Sequence, residues 1–401
     1  MMFAITGVGI RDYLGDNLDS NFKKLLSPTS TPRQMSKSEW LGYDYDVTLS
    51  TENVYSISPI VKDDILLLDN KLKREEEIIY LTGITIKQAI EMSNPDLTNQ
   101  VVGIVGSTLF MDRQSVNTTW NRLISGKSKS SPTGVMHGCA EAMVSWASRA
   151  LQIKGPSVSV ANTCTSSISA LDYACRFLAD GDADVMVVSC ADTPTDQFAN
   201  YLFSNIGAVS KQGICRPFDS ERDGIIMGDA SATVIVERYD DAKKRGAPIF
   251  GIIKGIGQST ENLDRISPEM SMGGYQRAFD IAVAKAGISL DDVAFINGHA
   301  TSTVLGDAVE YNIFKNSGIE YITSCKGHIG HTMAASGLVE SIYSLKCLHE
   351  KTVNPVANLQ STELQGPMKI VTEPASISKK NVIKNSYGFG GKCATIILGI
   401  E

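Results

Sequence analysis

The chain has no hydrophobic run long enough to cross a bilayer. The longest, Ile78 to Ile86, is broken by Thr82, Gly83 and Thr85 and falls far short of the roughly 20 apolar residues a spanning helix needs. No basic segment precedes the short apolar run in MMFAITGVGIRD. No secretory signal is therefore read there, and a cytoplasmic location is expected. Positive charge is in deficit, with 37 Lys and Arg against 44 Asp and Glu for a net −7 at pH 7. That argues against nucleic acid as the main partner, because a phosphate backbone selects a basic face. The eight cysteines form no CxxC pair. Thiols scattered in this way over a large intracellular chain are mostly small buried hydrophobes, with at most one reactive. Low-complexity tracts are missing too. A hydrophobic content of 43% with 20% charged residues excludes disorder as the main state, and 401 residues can bury a core without disulfides or metals.

What is present is alternation. Ser27 to Glu39 and Gly126 to Gly134 concentrate Ser, Thr, Pro, Gly and Lys and read as surface loops. Elsewhere short β-branched runs alternate with helical periodicity, the pattern of an α/β fold with buried strands. The pattern occurs twice. A helical segment, Ile78 to Met92, precedes the strand VVGIVGS, and a second, Tyr275 to Ala286, precedes VAFINGH. SVSVANTC runs into a helix with Ile168, Leu171, Cys175 and Leu178 on one face, and YITSC leads through a Gly/His loop into a helix over Gly337 to Leu348; the spacing is helical in both. The halves close with SATVIVERYD and CATIILGIE. The expectation is an internal duplication, residues 1–243 and 244–401, with the boundary near Asp240 to Ala247.

Four segments carry candidate chemistry. Cys164 ends an apolar strand and directly precedes a helix, where unpaired N–H groups and the helix dipole favour a thiolate and can face an oxyanion. His299, in NGHATST, sits at the carboxyl end of a buried strand, where α/β folds place ligands. CKGHIGH puts Lys326, His328 and His331 in one Gly-rich loop before a helix. An HxxH metal pair lacks further ligands at suitable spacing. The other reading is a cation-rich pocket for an anion, with Glu310 and Glu340 pairing Lys326. NSYGFGG, Asn385 to Gly391, is a turn whose glycines allow close backbone approach. There is no GxxxxGK[ST], no third glycine after Gly7-Val8-Gly9, and no GxSxG, so phosphate-loop, dinucleotide and serine-elbow readings drop out.

Taken in order, NTCTSS, RPFD running on through RDGIIMGDA, NGHATST, CKGHIGH and NSYGFGG resemble the β-ketoacyl-[acyl-carrier-protein] synthases of the elongating Cys-His-His type. The similarity runs from about Gly103 to Gly399. It implies a thiolase-like fold, two duplicated α/β halves in a five-layered αβαβα arrangement, usually a homodimer. It implies decarboxylative condensation of a Cys-bound acyl group with malonyl-carrier protein, in fatty acid, polyketide or polyene biosynthesis, with ping-pong kinetics. Carried over by residue, Cys164 would be the nucleophile, and His299 and His331 would donate to the malonyl thioester carbonyl. Lys326 would supply charge behind them, with Glu310 and Glu340 as its partners. The N–H groups of Cys164 and Phe389 would form the oxyanion hole, with Phe389 also the gate. Thr301 and Thr303 would contact the phosphopantetheine arm, which arrives on the carrier protein, so no free cofactor and no metal are expected. His328 has no implied role beyond structure.

The chain departs from the family pattern at Ala300, in GHTMAASG, at Lys392-Cys393 after GFGG, and at Thr108-Leu109-Phe110-Met111. The last four would reshape or shorten the acyl pocket. The acidic acyl carrier protein of such systems would dock on a basic patch, Lys127 with Lys129 or Lys71 with Lys73 and Arg74. Three rivals share parts of the pattern. A thiolase would need a second cysteine in CxGxG. A chain-length partner subunit in a heterodimer with a paralogue would lack the nucleophile. A cysteine hydrolase would pair the thiol with one histidine and an orienting Asn or carboxylate.

Overall fold

The computed structural model describes residues 1–35, 51–57, 77–110, 123–126, 139–261 and 273–401. Within these, eleven strands form one hydrogen-bonded sheet: β1 (Phe3–Asp12), β2 (Val102–Ser107), β3 (Ser157–Ser159), β4 (Val185–Asp192), β5 (Ala230–Arg238), β6 (Gly251–Thr260), β7 (Val293–Asn297), β8 (Tyr321–Thr323), β9 (Lys369–Ile370), β10 (Asn381–Gly388) and β11 (Lys392–Gly399). Their order is β9-β8-β7-β10-β11-β6-β1-β5-β4-β2-β3. From the β1/β6 junction outward, each half repeats one plan. Antiparallel partners come first (β5 and β4, or β11 and β10), then parallel ones (β2 and β3, or β7 and β8). The halves join where β1 and β6 pair antiparallel over three residues, Phe3↔Ile253 to Ile5↔Gly251.

Among the described residues, seven helices of nine or more residues accompany this sheet: α1 (Glu77–Ser93), α2 (Glu141–Ala150), α3 (Ser166–Asp180), α4 (Gln197–Asn205), α5 (Gly273–Ala286), α6 (Val304–Phe314) and α7 (Ser336–His349). α3 and α7 pack on each other and touch strands of both halves, so they form the central layer. Their sequences fit that place. α7 is buried on nearly every face, Lys346 and His349 excepted, as a helix between two sheet surfaces must be. α3 stops at Gly181, whose left-handed φ of 80° caps its last turn. α1 lies on the outer surface of β1 and β5, and α5 on that of β6 and β11.

The duplication extends to individual glycines. A Cβ at Gly7 or Gly9 of β1 would lie 2.0 or 1.9 Å from a carbonyl oxygen of α1. A Cβ at Gly255 or Gly257 of β6 would lie 2.3 or 1.9 Å from one of α5. The GVG near the amino terminus and its GIG counterpart thus seat an outer helix directly on a strand. The layered α/β architecture is the one expected, and the helices expected at Ile78 to Met92, Tyr275 to Ala286 and Gly337 to Leu348 form there within two residues at each end.

Candidate active site

Cys164 sits in the turn between β3 and α3. The residue before it, Thr163, has φ +50°, a costly conformation for a β-branched side chain and one that clusters at functional sites. The glycine-rich turn after β10 lies directly over this position. A Cβ on Gly388 would be 2.1 Å from Thr163 Oγ1 and 3.0 Å from the Cys164 nitrogen, and Thr163 Oγ1 donates to the Phe389 carbonyl at 3.2 Å. Only a glycine at 388 lets the two segments meet.

Two histidines reach the same point from the other half. His299 follows β7, and Glu310 of α6 fixes its loop by accepting from the His299 N–H at 2.9 Å and the Ala300 N–H at 2.8 Å. The RPFD…RDGIIMGD segment holds the rest of that loop. Arg222 donates to the Thr303 and Val304 carbonyls, the Arg216 N–H to Ser302 Oγ, and the Gly224 N–H to the Ser302 carbonyl. The same segment grips the backbone of His331, whose N–H donates to Ile226 O at 2.7 Å and whose carbonyl accepts from the Gly228 N–H. The imidazoles stand edge to face with centroids 5.3 Å apart. Cys164 Sγ and one nitrogen from each ring all lie within 4.8 Å of one another.

Both rings are neutral. Burial, reinforced by the charge of Lys326, holds each well below the usual imidazole value. The Met333 N–H donates to His331 Nδ1 at 3.3 Å. A backbone N–H can only donate, so Nδ1 is the acceptor and the proton is on Nε2. His331 therefore offers a neutral N–H donor. Cys164 departs from the thiolate expected of its place before a helix. Burial pushes its thiol up to about 12, against the opposing charge of Lys326, because desolvation of a thiolate outweighs what one helix terminus supplies.

Behind the histidines is a buried ionic group. Lys326 Nζ lies 2.6 Å from Glu340 Oε1, and Lys384 Nζ lies 2.5 Å from Glu340 Oε2. Glu310, expected as a second partner of Lys326, is committed instead to the His299 loop and to Asn385 Nδ2. Two ammoniums on one carboxylate leave excess positive charge beside the histidines. Cys, His and His are a possible ligand set for zinc, but that positive potential disfavours a bound cation and favours an anion. The HxxH pair does not form. His328 Nε2 donates to Ser27 O at 2.7 Å, and burial pushes this ring down to about 4.

Cys164, His299 and His331 open onto a cavity of about 260 Å³ that Thr301, Thr303, Phe203, Tyr387 and Phe389 also line. Thr301 Oγ1 and Thr303 Oγ1 are 3.1 Å apart. The expected acyl wall is adjacent. Leu109 and Phe110 pack with Val209, Ile225, Met227 and Met333, and Phe110, Phe203 and Phe389 make a row of rings at 6.2 and 5.8 Å. Met111, Lys71, Lys73, Arg74, Lys127 and Lys129 lie outside the described residues.

Two site residues escaped the sequence reading. Lys384 is a charged residue inside an otherwise buried strand, just before the glycine-rich turn; that misfit was the available signal. Asp192 ends β4. It accepts from Thr108 Oγ1, the Leu109 and Phe110 N–H groups and the Ala334 N–H at 2.8–3.0 Å, tying the acyl wall to the His331 turn. The criterion that singled out His299, a polar residue at the carboxyl end of a buried strand, would have found it.

The description "Beta-ketoacyl synthase, N-terminal domain" matches residues 3–242, and "Beta-ketoacyl synthase, C-terminal domain" matches residues 250–360. The chain belongs to the β-ketoacyl synthase family. Like other β-ketoacyl synthases it is an acyltransferase. It is 27% identical over 414 residues to the 3-oxoacyl-[acyl-carrier-protein] synthase 2 of Coxiella burnetii, covering 98% of this chain and 97% of that one. It is 32% identical over 259 residues to the protein of the same name in Rhizobium meliloti, covering 62% and 61%. Among solved structures, the ishigamide ketosynthase/chain length factor superposes with a TM-score of 0.89 at 20% identity, covering 100% and 99%. A β-ketoacyl synthase from Burkholderia phymatum superposes with 0.87 at 23% identity, with the same coverage. These two likenesses establish the thiolase-like ketosynthase fold. Among the described residues no helix is long and apolar enough to cross a membrane.

Proposed function

We propose that this chain elongates an acyl group held on Cys164 by decarboxylative condensation with a malonyl thioester, both delivered by an acyl carrier protein. The observation that carries this reading is the convergence of one thiol and two neutral imidazoles within 4.8 Å, beside a buried lysine pair on one carboxylate. A hydrolase needs an orienter for a single histidine. Here His299 Nδ1 has no hydrogen-bond partner, whereas two donors facing one point suit an enolate oxygen.

The steps follow from the atoms present. Cys164 Sγ attacks the acyl thioester carbon, its proton leaves as the bond forms, and the carrier thiol departs protonated. The N–H groups of Cys164 and Phe389 receive the oxyanion. The malonyl thioester then enters past Thr301 and Thr303. Loss of carbon dioxide leaves an enolate whose oxygen takes hydrogen bonds from His299 and His331, with Lys326 supplying positive potential behind them. Neutral donors are what this step asks of the histidines, because a protonated imidazole would lose its proton to the enolate. The carbanion attacks the acyl-Cys164 carbonyl, the Cys164 thiolate leaves and takes up a proton from water, and a 3-oxoacyl carrier protein two carbons longer departs.

Leu109 and Phe110 beside the cavity, with Phe110 in the ring row of Phe203 and Phe389, support an acyl pocket that is reshaped or shortened, and the reading covers a specialised polyketide or polyene pathway as well as fatty acid elongation. We assign carrier docking to the basic residues Lys71, Lys73, Arg74, Lys127 and Lys129. We further place the protein in the cytoplasm as a homodimer or a heterodimer with a paralogue, and divide its halves at 243/244. Intact mass after incubation with acyl-carrier protein and then malonyl-carrier protein tests the core of this reading. An adduct on the wild type and not on Cys164→Ala, discharged as a 3-oxo product, is expected. Absence of any adduct would leave a partner-subunit role, and release of the acyl group to water alone would favour a hydrolase.

A further inference from the structure

The two imidazoles of the site are held unequally. His299 Nδ1 has no hydrogen-bond partner, whereas His331 Nδ1 has two. The Met333 N–H donates to it at 3.3 Å, and Ser336 Oγ lies 3.1 Å from it. Ser336 opens α7 within GHTMAASG, a segment in which the chain departs from the family pattern. It is fully buried, as is Thr332, whose Oγ1 lies 3.1 Å from Ser336 Oγ. Among the described residues neither hydroxyl has another hydrogen-bond partner. The direction of each proton follows from the backbone. The Met333 N–H can only donate, so Nδ1 is an acceptor. A hydroxyl oxygen 3.1 Å from that acceptor places its proton between the two atoms, since two lone pairs so close would repel. Ser336 has one hydroxyl proton, and it is committed to Nδ1. Toward Thr332 it can then only accept, so the Thr332 hydroxyl is the donor. Thr332, Ser336 and His331 form a chain in which every donor points the same way. The chain ends on the Nε2–H, left for the cavity that the ring lines.

We propose that Ser336 is a positioning residue of the condensation: its hydroxyl, itself accepting from Thr332, donates to His331 Nδ1 and so holds and polarises the Nε2–H that serves the enolate oxygen. The inference rests on the condensing reading above. Hydrogen bonds in series polarise one another, and the effect is largest where the dielectric is low. As charge develops on the enolate oxygen, the Nε2–H bond to it tightens and electron density in the ring moves toward Nδ1. The Ser336 and Thr332 hydroxyls stabilise that density. No proton leaves His331. The chain responds to charge that exists only once decarboxylation has begun, so it acts on kcat rather than on binding of the malonyl thioester. The Met333 N–H, at the longer distance, is the weaker hold on the same nitrogen.

Ser336→Ala tests this with a residue that fits the space and favours the helix. In protein carrying isotope-labelled histidine, the His331 Nδ1 resonance is read by nitrogen NMR and assigned by its absence from His331→Ala. It is expected to move in Ser336→Ala toward the position of an unbonded imine nitrogen. In the condensation half-reaction, started from acyl-Cys164, kcat is expected to fall about three- to tenfold. KM for the malonyl thioester and the rate of Cys164 acylation are expected to hold within about 1.5-fold. Thr332→Val keeps the Ser336 hydroxyl and removes only the outer donor. It is expected to give the same signature at about twofold, and it carries the test if Ser336→Ala does not fold. A hydroxyl that only packs α7 would shift Tm and leave both the resonance and the kcat-to-KM split where they were. An unmoved Nδ1 resonance, an unchanged condensation kcat, or a loss shared equally with acylation overturns the proposal. Failure of the condensing reading would appear in the wild type alone, as no acyl adduct or no condensation product. The resonance is read without substrate, so it tests the hydrogen bond whichever way that reading falls.

Discussion

The Cys164 turn and the His331 turn occupy corresponding places, each leading from the second parallel strand of its half, β3 or β8, into a helix of the central layer. They differ in length and charge. The first passes from Ser159 at the end of β3 to Ser166 at the start of α3. The second spans Thr323 to Ser336 and inserts two short helical turns, Lys326–Ile329 and Met333–Ala335. That extra chain houses Lys326 and His331. Both turns store strain beside the reactive residue, at Thr163 with φ +50° and at Met333 with φ +48°. One half therefore contributes the neutral thiol, and the other contributes the two imidazoles and the buried lysines beside it. Duplication gave two equal scaffolds. Divergence in one connection made them unequal, so neither half holds a complete site.

The sharpest way to break this division is to strip the second turn of its donor. His331→Ala is expected to lower condensation by about 10²–10³ while Cys164 still accepts an acyl group. Pre-steady-state acylation followed by single-turnover condensation reads the two separately, and an equal loss in both would show that the turns do not divide the work. The next effect is on stability. Lys326→Met leaves Glu340 with only Lys384, and Lys384→Met leaves it with only Lys326. Each variant keeps one ammonium on the carboxylate, so denaturant unfolding of either should shift by less than the roughly 3–5 kcal/mol that a buried charge stripped of its partner costs. Only Lys326→Met should also raise the Cys164 thiol further, because Lys326 is the charge that opposes its burial. The smallest effect concerns pH. A thiol pushed up to about 12 is mostly protonated through the neutral range, and its thiolate fraction grows with each unit of pH below that value. Iodoacetamide modification of Cys164 should climb through pH 9 without levelling. A plateau near pH 7 would mean that the helix terminus, not burial, sets the reactivity of the first turn.

Much of this was legible in the residues. The alternation of buried strands and amphipathic helices fixed an α/β duplication, because burial on both faces of a sheet leaves a periodic trace. The order of Cys164, His299, Lys326, His331 and NSYGFGG was readable because these residues punctuate strand ends and glycine-rich turns, where local pattern and chemistry coincide. Other features were not local. The pairing of Glu340 with Lys326 was expected, but its second partner, Lys384, and the assignment of Glu310 to the His299 loop join residues far apart in sequence with no periodicity linking them. The sequence excluded a dinucleotide loop at Gly7 and Gly9 but carried no signal that they seat a helix.

The sequence by itself determined which side chains could do the chemistry and the class of fold that holds them. Tertiary structure alone decided their protonation. A helix terminus argues for a thiolate at Cys164 and a cation-rich loop says nothing of tautomer, yet burial leaves the thiol neutral and the Met333 N–H sets the His331 proton on Nε2. The physical reason is that a charge's cost depends on everything within several ångströms, and that neighbourhood is assembled from both halves only when the chain has folded.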